Sequence, residues 1–233
     1  MTNDEIKKLH IIQTKNVKHL KKAMKNLTMD INNSLLKGDN FKVGIKTKFY
    51  CLLYSALSES QFLQILYTPY GFMYSEIQKI QKEKAIFDKW KLMVDLAIKK
   101  IGDYTTNNYL EDKRGKLKSI IYEYIEDPQL LRNKIAHGQW VHALNRKNTK
   151  ENKNITSKIE NLNVVEISKW FEVHQYLCFI IRDLIQSPSK GFHNNYWVNL
   201  TSLEAFLDKS KNWTVEKRIE DIKRKYNNRP EKV

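Results

Sequence analysis

The stretch VKHLKKAMKNLTMDINNSL, residues 17–35, decides the fold class. Its apolar residues Val17, Leu20, Met24, Leu27, Ile31 and Leu35 recur at spacings of three and four, with polar and charged residues between them. That period puts one apolar stripe on an α-helix, whereas a strand would alternate every second residue. The helix is expected to start near Asp4 and to stop at Gly38-Asp39. Further along, a second helix carries Phe49, Leu52, Ala56, Leu63 and Leu66 and stops before Pro69. A third carries Ile77 and Ile80, then Phe87, Trp90, Val94, Ala97 and Ile101, and Gly102 closes it. A fourth spans Glu111 to Glu126. Only 7 glycines and 4 prolines punctuate the 233 residues, which favours long helices over strands joined by tight turns.

Asp127-Pro128 reads as a helix start, because Asp can cap free N–H groups and Pro fits the first helical position. The helix that follows holds Leu130, Leu131, Ile135 and Ala136 and is expected to extend toward His142. The segment 144–165 is polar, a loop or weakly buried hairpin with Val164-Val165 as its strand-like hint. Trp170, Phe171, Leu177, Cys178, Ile181, Leu184 and Ile185 then mark an apolar helix that Pro188 ends. A short helix is expected from Leu200 to Leu207. A last amphipathic one carries Val215, Ile219, Ile222 and Tyr226 among Lys217, Arg218, Lys223, Arg224 and Lys225. These readings define an all-α chain: an up-and-down helical bundle over residues 1–187 and a basic, α-helical C-terminal extension over 188–233.

Lys and Arg number 41 against 26 Asp and Glu, a formal net charge of +15. Such a surplus attracts polyanions, RNA among them, although a chain rich in Lys, Asn and Ile also reflects compositional bias. Cys51 and Cys178 have no ligand-like spacing and read as buried thiols in a reducing compartment. No Cys/His cluster suggests a metal, and no cofactor motif is visible. The N-terminus lacks the apolar core of a signal peptide, and no apolar run reaches the length of a membrane span. The expectation is a cytoplasmic protein with no membrane partner.

The informative motif is LRNKIAHGQW, residues 131–140: Arg132, four residues, then His137, with Asn133 directly after the Arg. On a helix Asn133 and His137, four apart, share a face. Arg132 and His137 lie about 140° apart around the axis, so they converge poorly within one chain. A twofold axis beside the helix would bring two Arg and two His together, since such an interface repeats one patch on both subunits. The chemistry suits RNA, which carries its own 2′-hydroxyl nucleophile. A histidine titrates near neutrality and can take or give the proton. An arginine can grip the phosphate with paired N–H groups and stabilise its developing charge. Asn133 is placed to orient His137 or the phosphate, and Lys134 adds charge nearby.

This motif, with its apolar helices on either side, resembles that of the HEPN family, in which Arg and His are separated by four to six residues near the start of a late helix. The resemblance covers residues 1–187. It implies a small helical bundle, a homodimer with a composite site, and metal-independent endoribonuclease activity leaving a 2′,3′-cyclic phosphate or its opened form. It also implies an effector of toxin or phage-defence type, held in check by an antitoxin or regulatory protein. Some family members keep the fold as non-catalytic modules that bind RNA or a partner protein, and a purely structural helical dimer is the third reading. Where partner-modified members carry Tyr two residues after the His, this chain has Gln139. His142 reads as a loop-edge residue. Glu59, among the apolar positions of the second helix, is expected either to be paired at a helix edge or to face a functional cleft.

Overall fold

The first two helices form an antiparallel hairpin. α1 (Asn3–Leu36) begins with a reciprocal cap in which the Thr2 hydroxyl accepts from Glu5 N–H and the Glu5 carboxylate accepts from Thr2 N–H. Of the stripe expected from the sequence it buries Val17, Met24 and Ile31 and partly buries Leu20, Leu27 and Leu35, and it buries Ile6 besides. Gly38 adopts φ +66° at the reversal, a conformation that costs glycine little. Asp39 then caps α2 (Asn40–Leu66) through Lys42 N–H. Thr14 near one end meets Gln64, and Ser34 near the other meets Lys46, which fixes the antiparallel direction. The computed structural model describes residues 1–227, apart from the side chains of 191–193 and 226; the remaining residues of the basic tail, and the Tyr226 ring, lie outside that description.

Of the residues expected on the inner face of α2 only Leu66 is fully buried, and most of the buried positions lie on another face. Tyr50, Cys51, Tyr54, Leu57, Ser58, Gln61, Phe62 and Ile65 are inside, whereas Phe49 is 48% exposed, Ala56 is exposed and Leu52 and Leu63 are only partly covered. The helix lies between α1 and α8; Ser58 and Gln61 bond to His174 and Gln175 of α8, and Tyr54 donates to the Tyr124 carbonyl in the turn before α6. Satisfied polar groups are tolerated inside, so polarity alone did not mark the outer face.

The expected third helix is two: α3 (Tyr74–Lys82) and α4 (Ile86–Lys99), separated at Glu83, whose ψ of 139° is extended. The break lets both Ile77 and Ile80, and Trp90, Val94 and Ala97, reach one core. α5 (Asn108–Ile121), capped by Asn107, runs into a π-helical segment (Tyr122–Glu126) and on into α6 (Asp127–Ala136). α6 therefore begins at Asp127-Pro128 as expected, but it continues directly from the π-helical turn and has no side-chain cap. Proline lacks an N–H and clashes with the carbonyl four residues earlier. Here the wider turn sends Asp127 N–H to Tyr122 O, and the Tyr124 carbonyl accepts from the Tyr54 hydroxyl at 2.6 Å. The Asp127 carboxylate pairs with Lys158 at 2.7 Å instead of capping.

α6 stops at Ala136 and does not reach His142. His137 takes φ −94°, ψ 22° and Gly138 takes φ +78°, which turns the chain away. The polar segment 144–165 is partly ordered: Leu144 and Glu151 form an isolated bridge, and α7 (Lys153–Glu160) follows. Val164-Val165 opens α8 (Val164–Gln186), with the Asn163 side chain accepting from Val165 and Glu166 N–H, so it is not a strand. The short turn α9 (Pro188–Lys190), a second π-helical segment (Gly191–Tyr196), α10 (Trp197–Ser210) and α11 (Val215–Asn227) complete the chain. The described residues form an all-α protein without named strands, and no helix among them is long and apolar enough to cross a membrane.

Two apolar clusters hold these elements. One gathers Phe62, Trp90, Met93, Ile121, Leu177 and Ile181, and Tyr196 and Leu200 from the C-terminal segments join it. The other gathers Met24, Ile31, Tyr54, Leu131, Ile135 and Ile167. α2 and α8 pass through both, and α11 rests on α1 through Arg218, which donates to Asn32 at 2.9 Å.

Candidate functional site

Arg132 sits on the face of α6 that meets α2. Its Nη2 donates to Glu59 Oε1 at 2.5 Å, its Nε to Ser55 Oγ at 3.0 Å and its Nη1 to Asn133 Oδ1 at 3.1 Å. The Ser55 hydroxyl donates to Gln129 Oε1, and Gln129 Nε2 donates to Glu59 Oε1 at 3.0 Å. Arg132, Ser55, Gln129 and Glu59 thus close a hydrogen-bonded ring between the two helices. Spacing makes the ring possible: Ser55 and Glu59 are four apart on α2, and Gln129 and Arg132 three apart on α6, so each pair shares a face. The Arg132 side chain is 29% exposed and that of Glu59 42%, so the pair lies at the surface with room for a further partner. A guanidinium has five N–H groups, and two of Arg132's are left after these three bonds.

Glu59 is therefore paired with the motif arginine itself, which joins its two expected roles. Ser55 and Gln129 were missed in the sequence. Their only signal was a polar pair, Ser55 and Glu59, set among the apolar positions of α2.

His137 stands at the end of α6, exposed, and among the described residues its ring makes no hydrogen bond or ion pair. It lines a shallow depression of about 370 Å³ with Asn133, Lys134, Gln139 and Asn148. Lys134 is turned to the loop, its Nζ donating to the Leu144 carbonyl at 2.5 Å. Gln139 accepts from Leu144 N–H at 2.7 Å, so it serves to fix the loop. Asn133 bridges the two halves of the motif, touching Arg132 and lining the depression beside His137. Arg132 and His137 do not bond to each other within the chain. His142 is on the loop, exposed, with Nδ1 2.9 Å from Glu151 Oε1. That bond holds the Glu151 carboxyl below its usual range, with help from Thr156.

A second histidine constellation lies in the core and was not legible in the sequence. His174 on α8 is 1% exposed, with Nε2 3.0 Å from Ser58 Oγ and Nδ1 3.4 Å from Cys178 Sγ. The rings of Tyr54 and Trp90 stand edge-on to it, at 6.0 and 5.3 Å between centroids. Burial holds its pKa down to about 3 and pushes the Cys178 thiol up to about 12. A neutral imidazole beside a neutral thiol is a structural pair, because the nucleophile would be the thiolate. Cys51, behind Arg132, is likewise raised to about 12 by burial.

Among the described residues no group of three or more His, Cys, Asp or Glu is arranged to hold a metal ion. Comparison with protein-family models, with curated proteins and with solved structures returned no match for this chain.

Proposed function

We propose that this chain is a HEPN-type, metal-independent endoribonuclease whose working unit is a homodimer. The observation that carries the reading is the position of Arg132 beside a partly exposed apolar stripe. Phe49, edge-on to Trp140, and Ala56 are exposed along one face of α2, Leu52 and Leu63 on that face are partly covered, and Glu59, the partner of Arg132, lies within the stripe. An exposed apolar strip rimmed by polar groups is the kind of surface that a second subunit covers. Pairing it across a twofold axis brings two Arg132–Asn133–His137 edges together. In that unit Arg132 holds the phosphate through its remaining N–H groups, and His137 moves the proton on the 2′-hydroxyl or the leaving 5′-oxygen. Asn133 links the two, and the net charge of +15 draws RNA to the surface.

The test is incubation of the purified protein with total cellular RNA in EDTA, with analysis of the product ends. Cleavage leaving 2′,3′-cyclic phosphates is expected, together with a dimer by light scattering. Ala56→Arg, which puts a charge in the stripe, is expected to give monomers and to stop cleavage. Arg132→Ala is expected to cleave less and also to bind RNA less well. A wild-type monomer, or activity that needs added Mg²⁺, would overturn the mechanism. One observation favours the alternative of a non-catalytic module that binds RNA or a partner protein: three of the Arg132 N–H groups are already used within the chain. RNA binding by the dimer without any cleavage would establish it.

A further inference from the structure

We propose that the pocket where α11 meets α1 and the start of α8 binds a carboxylate carried on an apolar body, with Arg218 as the group that receives it. The pocket has a volume of about 290 Å³, at the lower end of the roughly 300–1,000 Å³ usual for small-molecule sites. It belongs to the C-terminal extension and takes no residue from the Arg132–His137 motif. The inference therefore stands apart from the ribonuclease reading.

An arginine without an acid partner carries the inference. Arg218 is half-buried, and its one hydrogen bond among the described residues runs from Nε to Asn32 Oδ1 at 2.9 Å. A guanidinium has five N–H groups, so the four on Nη1 and Nη2 remain. Burial pulls the Arg218 pKa down; Tyr50 opposes this, and no carboxylate does. A charge drawn out of water without a counter-charge is costly, and folded proteins usually pair it. The acids around the pocket are placed or engaged elsewhere. Asp221, in the lining, accepts from Arg224 at 2.8 Å. Glu166, next to Val165, accepts from Trp170 at 3.1 Å and pairs with Lys169 at 3.6 Å. Glu216 and Glu220, two positions from Arg218 on either side, lie about 160° from it around the helix.

The lining selects the kind of anion. Trp213, Val165 and Ile222 give the pocket apolar walls, and the Trp213 ring is held edge-on to Phe206 at 5.4 Å between centroids. Arg218 and Ile222 are four apart on α11, so cation and wall share one face. Lys217 already donates to the Asn212 carbonyl at 3.0 Å, and Lys225 is exposed, which leaves Arg218 as the cation of the interior. The guanidinium fork matches the paired oxygens of a carboxylate, and both can be held at once. A phosphate fits the fork too, but its second charge would meet Asp221 in the same lining. One negative charge with a hydrocarbon or aromatic body behind it suits both the fork and the walls. That chemistry is offered by a free carboxylic acid and by an acidic side chain of a peptide.

The experiment is calorimetric titration of the full chain with benzoate, acetate, phenyl phosphate and neutral benzamide, and with a blocked tripeptide of glutamate between two leucines. Benzoate or the peptide is expected to bind. Acetate, which lacks the apolar body, and benzamide, which lacks the charge, are each expected to bind about tenfold more weakly or worse. Arg218→Met keeps the aliphatic stem and removes the charge. It is expected to weaken binding about tenfold or more, the loss of one charge-assisted contact, and to be at least as stable to urea as the ligand-free wild type, since a desolvated charge is gone. Arg218→Lys keeps the charge without the fork, and its affinity is expected to fall between the two. Lys84→Met, an equal change of net charge at an exposed loop position, is expected to leave binding unchanged. So is Arg132→Ala, which separates failure here from failure of the ribonuclease reading. Binding of benzoate identifies a free acid as the ligand, and binding of the peptide alone identifies a protein segment. No heat with any probe at millimolar concentration would overturn the proposal. So would phenyl phosphate binding more tightly than benzoate, or equal losses in Arg218→Met and Lys84→Met, which would mean diffuse charge.

Discussion

The surroundings of His137 and His174 differ in almost every respect. His174 has a partner on each ring nitrogen, two aromatic neighbours and almost no contact with water. His137 stands in the open at a helix end, beside asparagine, lysine and glutamine. The better-made environment is the less reactive one. Burial removes the charged form of His174 from use, and its hydrogen bonds leave no site for a substrate. The poorer environment leaves an imidazole free to accept a partner from another molecule. For a histidine, then, completeness of packing points to stability, and an unfilled shell points to chemistry supplied from outside the chain.

The largest expected effect tests the reactive half of this contrast. His137→Ala is expected to lower RNA cleavage by roughly 10²–10⁴-fold while leaving the dimer and RNA binding intact. Rates on total RNA in EDTA measure it, and undiminished cleavage would break the contrast at once. His174→Ala should do the reverse. It empties a buried ring and strands Ser58 and Cys178, at a cost of roughly 3 kcal/mol of stability by urea denaturation. A variant as stable as the wild type would show that the core cluster is not structural.

Acid sharpens the same comparison on a smaller scale. In the unfolded chain an imidazole takes up its proton below about pH 6.5, whereas in the folded protein His174 does so only at about 3. Between these values the unfolded state binds more protons. The contribution of a neutral His174 is complete above the upper value and is lost as pH falls toward the lower, at up to about 1.4 kcal/mol per pH unit. His174→Gln is expected to flatten this limb, so that its stability relative to wild type improves between pH 6 and 4 in matched denaturation series. The smallest effect belongs to His142. Its bond to Glu151 is exposed, and His142→Ala is expected to change neither cleavage nor stability by more than about 0.5 kcal/mol.

Helix content was legible because it rests on local periodicity, and α1 and α8 follow the expected stripes closely. What escaped were features set by contacts distant in sequence. The outer face of α2 is as apolar as an inner one, and only its neighbours decide which side is covered. His174 looks like any residue of an apolar helix until Ser58, 116 positions away, is brought to it. The motif residues were visible as a spacing, but the ring that ties Arg132 to Glu59, Ser55 and Gln129 depends on how α6 lies across α2. The break at Glu83 left no glycine or proline as a sign, and it is seen only once Ile77 and Trp90 are placed in one core.

The π-helical turn ahead of Pro128 has a consequence for how this chain tolerates change in length. A wide turn accommodates one residue more than a regular α-helix would, and each added residue advances everything downstream by about 100°. Tyr122–Glu126 thus acts as a phase setting between α5 and α6. The direction in which Arg132 points is fixed by a residue count as well as by residue identity. Substitutions at the exposed positions of this turn leave that phase alone, whereas losing a single residue there would rotate the arginine off Glu59 with every side chain of the motif unaltered.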